Sequence, residues 1–258
     1  QAASATLPAI SQERTALKTH FEEGKNLENF SLNTALLKDI LESAKPLGHN
    51  EKPENLNLGF GFLYYGLVRA LRPEHLLVIG SGFGFSVVCF ALGMKDNGGG
   101  MLTFVDPSYS LIKNGPFKTI GGKDKWGEPL RVHEHFKQFG VEDVVTHYKL
   151  RSDQFFTSYK ALGLPKIDIA FIDGNHSYES VRSDFLNTLE HVHKNSYILL
   201  HDSNIYFREF IGHAGVKKWL KTLRKEKEHF EVTNFPFSSG MALVHILQDK
   251  VWRGAKQQ

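Results

Sequence analysis

An α/β fold built on a mostly parallel sheet is predicted by three features of the sequence. Short apolar runs recur at 76–79, 101–105, 167–172 and 197–200, each of strand length and rich in Val, Ile, Leu and Phe. The first run passes straight into Gly80-Ser81-Gly82-Phe83-Gly84, the punctuation of a strand that turns tightly into a helix. After the 167–172 run, Tyr178, Val181, Phe185, Leu189 and Val192 recur at steps of three and four, which gives an amphipathic helix with its apolar stripe toward a sheet. Strands alternating with helices in this way form βαβ units.

The glycine turn carries the first functional information. Glycine takes positive φ without steric cost, so a ligand can rest on bare backbone amides at a helix N-terminus. Gly80, Ser81, Gly82 and Gly84 are therefore read as a nucleotide cradle. A dinucleotide fingerprint needs its third glycine three residues after the second; that position is Phe85, and the third glycine arrives one residue early at Gly84. The spacing disfavours NAD and FAD. The second strand ends in Asp106, 106 − 80 = 26 residues after the first glycine, where an acid accepts hydrogen bonds from ribose hydroxyls in nucleotide-binding α/β folds. A turn acid ahead of Pro107 is the plainer alternative.

The later strands end in chemistry. The 167–172 run delivers Asp173-Gly174-Asn175-His176-Ser177-Tyr178, and the 197–200 run delivers His201-Asp202-Ser203-Asn204. Further on, 230–232 and 241–246 flank Pro236, Ser238, Ser239 and Gly240, which reads as a closing hairpin. The GxGxG turn resembles the first motif of class I S-adenosylmethionine (SAM) dependent methyltransferases. The phrase FIDGNHSYESVRSDF resembles methyltransferase family 24, a group with many sugar and natural-product O-methyltransferases. The resemblance covers about residues 56 to 247. It implies a Rossmann-like seven-stranded sheet of order 3-2-1-4-5-7-6, the last strand antiparallel, with helices on both faces. It also implies SAM as cofactor, held by Gly80, Ser81, Gly82, Gly84, Asp106 and Asp173, with Ser152 and Asp153 near the adenine. A simple helix cap at Ser152 or Asp153 accounts for that last pair equally well.

In that strand order the glycine turn, Asp173 and Asp202 converge at the carboxyl ends of neighbouring strands, where ligands of doubly wound sheets bind. Methyl transfer needs an acceptor oxygen held behind the sulfonium methyl and a group that takes its proton; Asp173, His176, His201 and Asp202 stand there. Two mechanisms remain open. In one, Asp173 and Asp202 bind Mg²⁺, as related catechol-type and sugar enzymes do, and the ion acidifies the hydroxyl; the Asn that usually follows the second Asp is Ser203 here, with Asn204 one step later. In the other, His176 or His201 takes the proton directly. A general base serves an amine acceptor equally. Members of the wider superfamily carry an acid two residues before the first glycine, and this chain has Val78, so a catalytically degenerate SAM-fold binding module is the alternative to an enzyme.

The flanks and composition complete the prediction. Residues 1–55 read as an accessory region, polar at first and then a short helix carrying Leu36, Leu37, Ile40 and Leu41. A helix over 59–71 with Leu63, Leu67 and Leu71 precedes Pro73 and is expected to pack on the sheet by that stripe. Residues 56–250 form the cofactor-binding domain and 251–258 a tail. The connection from Asp106 to about Gly140, with Phe117, Gly121, Gly122 and Trp126, exceeds ordinary loop length and is either a substrate lid or a surface insertion. Lone Cys89 forms no intramolecular disulfide and reads as a small buried hydrophobe; with no apolar span or leader pattern, a cytoplasmic protein without membrane partners is expected. A net charge of +3 is too mild for a nucleic-acid partner, and the lysines of 217–227 read as a solvated helix face. A small molecule is the expected substrate.

Overall fold

The computed structural model describes residues 30–109, 111–114, 117–120, 124–204, 215–249 and 252, with backbone alone at 111–114 and 117–120. Residues 32–258 make up one compact unit. Part of the segment read as accessory therefore belongs to the same body as the sheet. Residues 1–29, Gly121 and Gly122 lie outside the described residues.

The seven-stranded sheet has β1 (His75–Ile79) at its centre, with β2 (Met101–Val105) and β5 (Val145–Tyr148) on one side and β6 (Ile167–Ile172), β7 (Val192–His201), β9 (Met241–Ile246) and β8 (Phe230–Phe235) on the other. This is the expected order 3-2-1-4-5-7-6. β1, β2, β5, β6 and β7 are parallel, and β9 is antiparallel to both β7 and β8. The intervening hairpin β3 (Leu111–Asn114) and β4 (Phe117–Ile120) forms its own two-stranded ladder inside the long connection.

Side chains of β1 alternate between two cores, as strand geometry dictates. Leu76 and Val78 face the core that holds α2 (Phe60–Leu71), α3 (Phe85–Asp96) and α4 (Pro129–Lys137). Leu77 and Ile79 face the one that holds α5 (Ser152–Ser158), α6 (Tyr178–Leu189) and α7 (Val216–Leu223). Both faces of β1 are buried, which is why its sequence is a continuous apolar run rather than an alternation. The stripe predicted for α6 is observed, with Val181, Phe185 and Leu189 buried and Ser177 accepting from Ser180 N at 3.2 Å as the N-cap. On α7, Val216, Trp219, Leu220 and Leu223 are buried, leaving the lysines outward.

Helix α2 departs from its predicted face. Its buried residues are Phe60, Gly61, Tyr64, Tyr65 and Val68, while Leu63 and Leu67 are only partly buried at the flank and Leu71 is exposed. The cause is close helix crossing: a Cβ at Gly61 would stand 2.9 Å from the Cys89 sulfur, and one at Gly93 2.9 Å from Val68 Cβ. Small residues let α2 and α3 approach and turn the aromatic side of α2 inward. N-terminal to it, α1 (Thr34–Asp39) is capped by Asn33, whose Oδ1 accepts from Leu36 N at 3.0 Å, and continues into a π-turn at Ile40–Ala44. Trp252 packs against Trp219 and Phe230 at centroid distances of 5.9 and 5.3 Å.

Candidate active site

The glycine turn is shaped by backbone approach on one side and by aromatic support on the other. Gly80 has φ +70°, and a Cβ there would lie 2.7 Å from Asp173 O and from Gly174 Cα. The ends of β1 and β6 therefore pass each other with no room for a side chain. At Gly84, φ +92°, a Cβ would meet Trp126 Cη2 and His135 Nε2 at 2.9 Å each. Trp126 is buried, donates from Nε1 to Gly82 O at 3.0 Å and stacks on Phe136 with centroids 5.6 Å apart. Read from the sequence as part of a lid or insertion, Trp126 is instead a strut under the cradle. Ser81 is buried with its Oγ 2.6 Å from Ser86 Oγ, and the space beside Gly82 is open.

Beyond the turn lies a cleft of about 440 Å³ whose walls include Gly80, Pro107, Ser152, Asp153, Gly174 and Asp184. Ser152 donates to Asp184 Oδ1 at 2.5 Å, and Asp153 forms a two-pronged ion pair with Arg151 at 3.0 and 2.9 Å. Burial pushes the Asp184 carboxyl up to about 6. Asp106 sits just behind this cleft at the end of β2, accepting from Ser108 N at 2.7 Å. Burial raises its carboxyl to about 6 against hydrogen bonds from Ser108 and Ser81.

Asp173, His176, His201 and Asp202 do come together, from the ends of β6 and β7. His201 Nδ1 is 2.8 Å from Asp173 Oδ1 and 3.4 Å from Asp202 Oδ1. His176 Nε2 is 3.2 Å from Asp173 Oδ1, and its Nδ1 contacts Asp202 Oδ2. Asp202 holds φ +62°, a left-handed turn that Asp tolerates better than most residues and that ends the β7 ladder at the site. Burial opposes charge on all four groups, but the pairing wins. His201 holds Asp173 well below the carboxylate range, His176 holds Asp202 at about 2, and the two carboxylates raise His201 and push His176 up to about 10.

Three contributors were not legible as site residues in the sequence: His49, Gly48 and Ser239. His49 stacks on His201 with centroids 4.2 Å apart, and its Nδ1 is 3.0 Å from the Tyr64 hydroxyl; burial, with His201 alongside, lowers it to about 3, so it is neutral. Gly48 O lies 3.3 Å from His201 Nε2, and Ser239 Oγ lies 3.0 Å from the same nitrogen while donating to Gly48 O at 2.7 Å. Asn204 turns away and donates to Pro236 O at 3.0 Å, so it does not take the place of the Asn expected after Asp202.

Residues 77–203 match the family model described as a methyltransferase domain, number 24 of its series. An uncharacterized protein, y4gI, of Sinorhizobium fredii is 24% identical over 198 residues, 76% of this chain; the chain spans about a fifth (20%) of that relative's length. Among solved structures, an O-methyltransferase of Streptomyces achromogenes involved in tomaymycin synthesis, in complex with SAM, is 14% identical with a TM-score of 0.59, covering 92% of this chain and 98% of its own. An O-methyltransferase of Bacillus cereus in complex with S-adenosylhomocysteine (SAH) is 13% identical with a TM-score of 0.60, covering 90% and 97%. These structures share the fold.

The junction of β1 with β6 predicts the behaviour of two glycine variants. Gly80→Ala is expected to lower unfolding free energy by about 2–4 kcal/mol, combining a left-handed backbone with overpacking against main chain. Gly82→Ala, whose Cβ would meet nothing within 4 Å, is expected to lose about 1 kcal/mol, the backbone cost alone. Urea unfolding of both variants checks the difference.

Proposed function

On the premise that residues 77–203 belong to the methyltransferase domain family, within the class I SAM-dependent group, we propose that the chain methylates a hydroxyl oxygen of a small molecule, a sugar or secondary metabolite. The observation that carries this reading is the adjacency of the glycine cradle and the Asp/His cluster across the Gly80–Asp173 contact. Two relatives in fold bind SAM or SAH and are O-methyltransferases. SAM is proposed to lie along the cleft, its ribose on Asp106, its adenine beside Ser152 and Asp153, and its methionine portion on the turn from Gly80 to Gly84.

Methyl transfer is an in-line displacement. The acceptor oxygen forms its bond to the methyl carbon as the S–CH₃ pair returns to sulfur, leaving neutral SAH, and the acceptor's proton must leave. His176 is proposed to manage that proton. Held between Asp173 and Asp202 it is protonated in the resting site. The reactive complex carries one proton fewer, either as neutral imidazole with a hydroxyl or as imidazolium with an oxyanion; the two are kinetically equivalent. Asp173 and Asp202 stabilise the charged ring in both, and His201, anchored on Asp173 and Gly48 O, fixes the carboxylate. Mg²⁺ is a poor match for this cluster: it demands an octahedron of oxygens, and both carboxylates here are faced by imidazole nitrogens. No step is assigned to it.

Two results are expected. Asp173→Asn should retain the fold and lose at least about 100-fold in transfer of labelled methyl from SAM to a panel of phenols, catechols and sugars, because one partner of both histidines is neutralised; full activity would remove Asp173 from the site. Since Asp106 titrates near 6, its charge is present above that pH and lost below it. SAH affinity should therefore fall several-fold, to a ceiling of about tenfold, as pH is lowered from 8 to 5, because about one-tenth of the carboxyl is still charged at the lower pH. In Asp106→Asn, titration calorimetry should show weak binding at every pH.

A further inference from the structure

Two lysines meet at the tip of the glycine turn, and methyl transfer as described gives neither of them a task. Lys45 Nζ stands 5.8 Å from the centroid of the Phe83 ring, and Lys125 Nζ 5.9 Å from the same centroid. Lys125 is half-buried, with its Nζ also 5.6 Å from the Trp126 ring and donating to Ser43 O at 3.1 Å. An ammonium has three N–H donors, so that bond leaves Lys125 with two to give. Among the described residues no carboxylate pairs with either Nζ. Glu42, on the segment of Lys45, pairs with Lys38, and Glu51 accepts from Gly48 N at 3.4 Å. The charge that acts on Lys125 is another cation: burial, and then Lys45, lower it to about 8.

We propose that Lys45 and Lys125 bind an acidic group of the methyl acceptor, so that the substrate is a hydroxylated small molecule carrying its own carboxylate or phosphate. The inference rests on the methyltransferase reading proposed above. Two cations that converge on one ring without a counter-ion repel each other, and an anion within reach of both relieves that repulsion. Half-burial of Lys125 makes such a contact stronger than one between fully solvated groups. The Asp/His cluster does not compete for the anion: its two carboxylates face two imidazoles whose protonation they favour, so it largely cancels its own charge.

The course of the chain favours the acceptor over the cofactor as the source of that anion. Residues 45–49 run from the glycine turn to the Asp/His cluster: Lys45 lies over Phe83, Gly48 O is 3.3 Å from His201 Nε2, and the His49 ring stacks on His201. A hydroxyl presented to the cluster is at one end of this loop, and the lysines are at the other. Three residue steps span at most about 10 Å, the length of a small acid with its hydroxyl at the far end. Leu47 is 54% exposed midway along the loop, and Phe237 is 58% exposed on the β8–β9 turn that Ser239 joins to Gly48. Apolar side chains there suit the body of such a molecule. The amino acid end of SAM carries an ammonium beside its carboxylate, and a site of two lysines repels that ammonium.

The test is titration calorimetry of the full chain, with and without SAH, using matched acid and neutral probes: 4-hydroxycinnamate with its methyl ester, and glucose 6-phosphate with glucose. At least one acid is expected to bind about tenfold more tightly than its neutral partner, the worth of one charge-assisted hydrogen bond. Lys125→Gln and Lys45→Gln should each cut that preference by about threefold or more, and Lys125→Arg, which keeps the charge, should retain it. SAH affinity should stay within about twofold in all three variants, since the lysines are assigned to the acceptor. No preference for the acid in either pair, or a preference that survives both glutamine variants, overturns the proposal. So does a loss of SAH affinity in those variants with the acid preference intact, which assigns the lysines to the cofactor's carboxylate. SAH binding without an acid preference removes only this inference, while an acid preference in a chain that binds no SAH removes the methyltransferase reading.

Discussion

The rest of the site depends on the close passage of Gly80 against the main chain of Asp173 and Gly174. β1 and β6 are hydrogen-bonded parallel neighbours from Leu76 and Ile169 to Ile79 and Ile172, and Asp173 N donates to Ile79 O at 2.8 Å just beyond the ladder. Any side chain at Gly80 would force these ends apart. Because none is present, the glycine turn proposed to hold SAM and the strand end that carries Asp173 share one wall. The cleft is lined by Gly80 and Gly174, and the Asp/His cluster begins at Asp173, the residue between Ile172 and Gly174. Parallel topology supplies the remainder, since β7 runs beside β6 and brings His201 and Asp202 to the same edge.

The cluster is costly to bury and is stabilised by reciprocity. An isolated carboxylate in such a place would shed its charge, and an isolated imidazole would stay neutral; His49, which lacks a directly bonded acid, does stay neutral. Asp173 and Asp202 remain charged because His176 and His201 each face both of them. Removing one member of such a set leaves its partner uncompensated, and for that reason single substitutions are expected to act strongly. The segment at Gly48 and His49 and the β8–β9 turn at Ser239 close the arrangement around His201, so a strand end, an N-terminal loop and a hairpin hold one ring.

Much of this was legible in the sequence because the signals are local. The apolar runs, the glycines at their ends, the acids that follow and the Ser177 cap all occupy a few consecutive residues, and the sheet order followed from resemblance. What was missed is non-local. Gly48 and Ser239 reach His201 across 153 and 38 residues of sequence and meet each other across 191. No periodicity marks such contacts. Helix α2 misled for a different reason: its leucines make a regular stripe, but the faces that bury are chosen by Gly61 and Gly93, whose lack of side chains gains meaning only once α2 and α3 cross. Trp126 looked like part of a lid or an insertion because it lies in a long connection, while its burial depends on Phe136 and Gly82, distant elements that the connection itself does not announce.

Calorimetric titration of the dialysed chain with SAH, and in parallel with NADH, bears most directly on the central claim that the Gly80–Asp173 junction builds a SAM site beside a proton-handling cluster. The account predicts one SAH per chain with micromolar affinity, even with Val78 in place of an acid, and no heat from NADH. Absence of SAH binding, or binding of NADH alone, would contradict it.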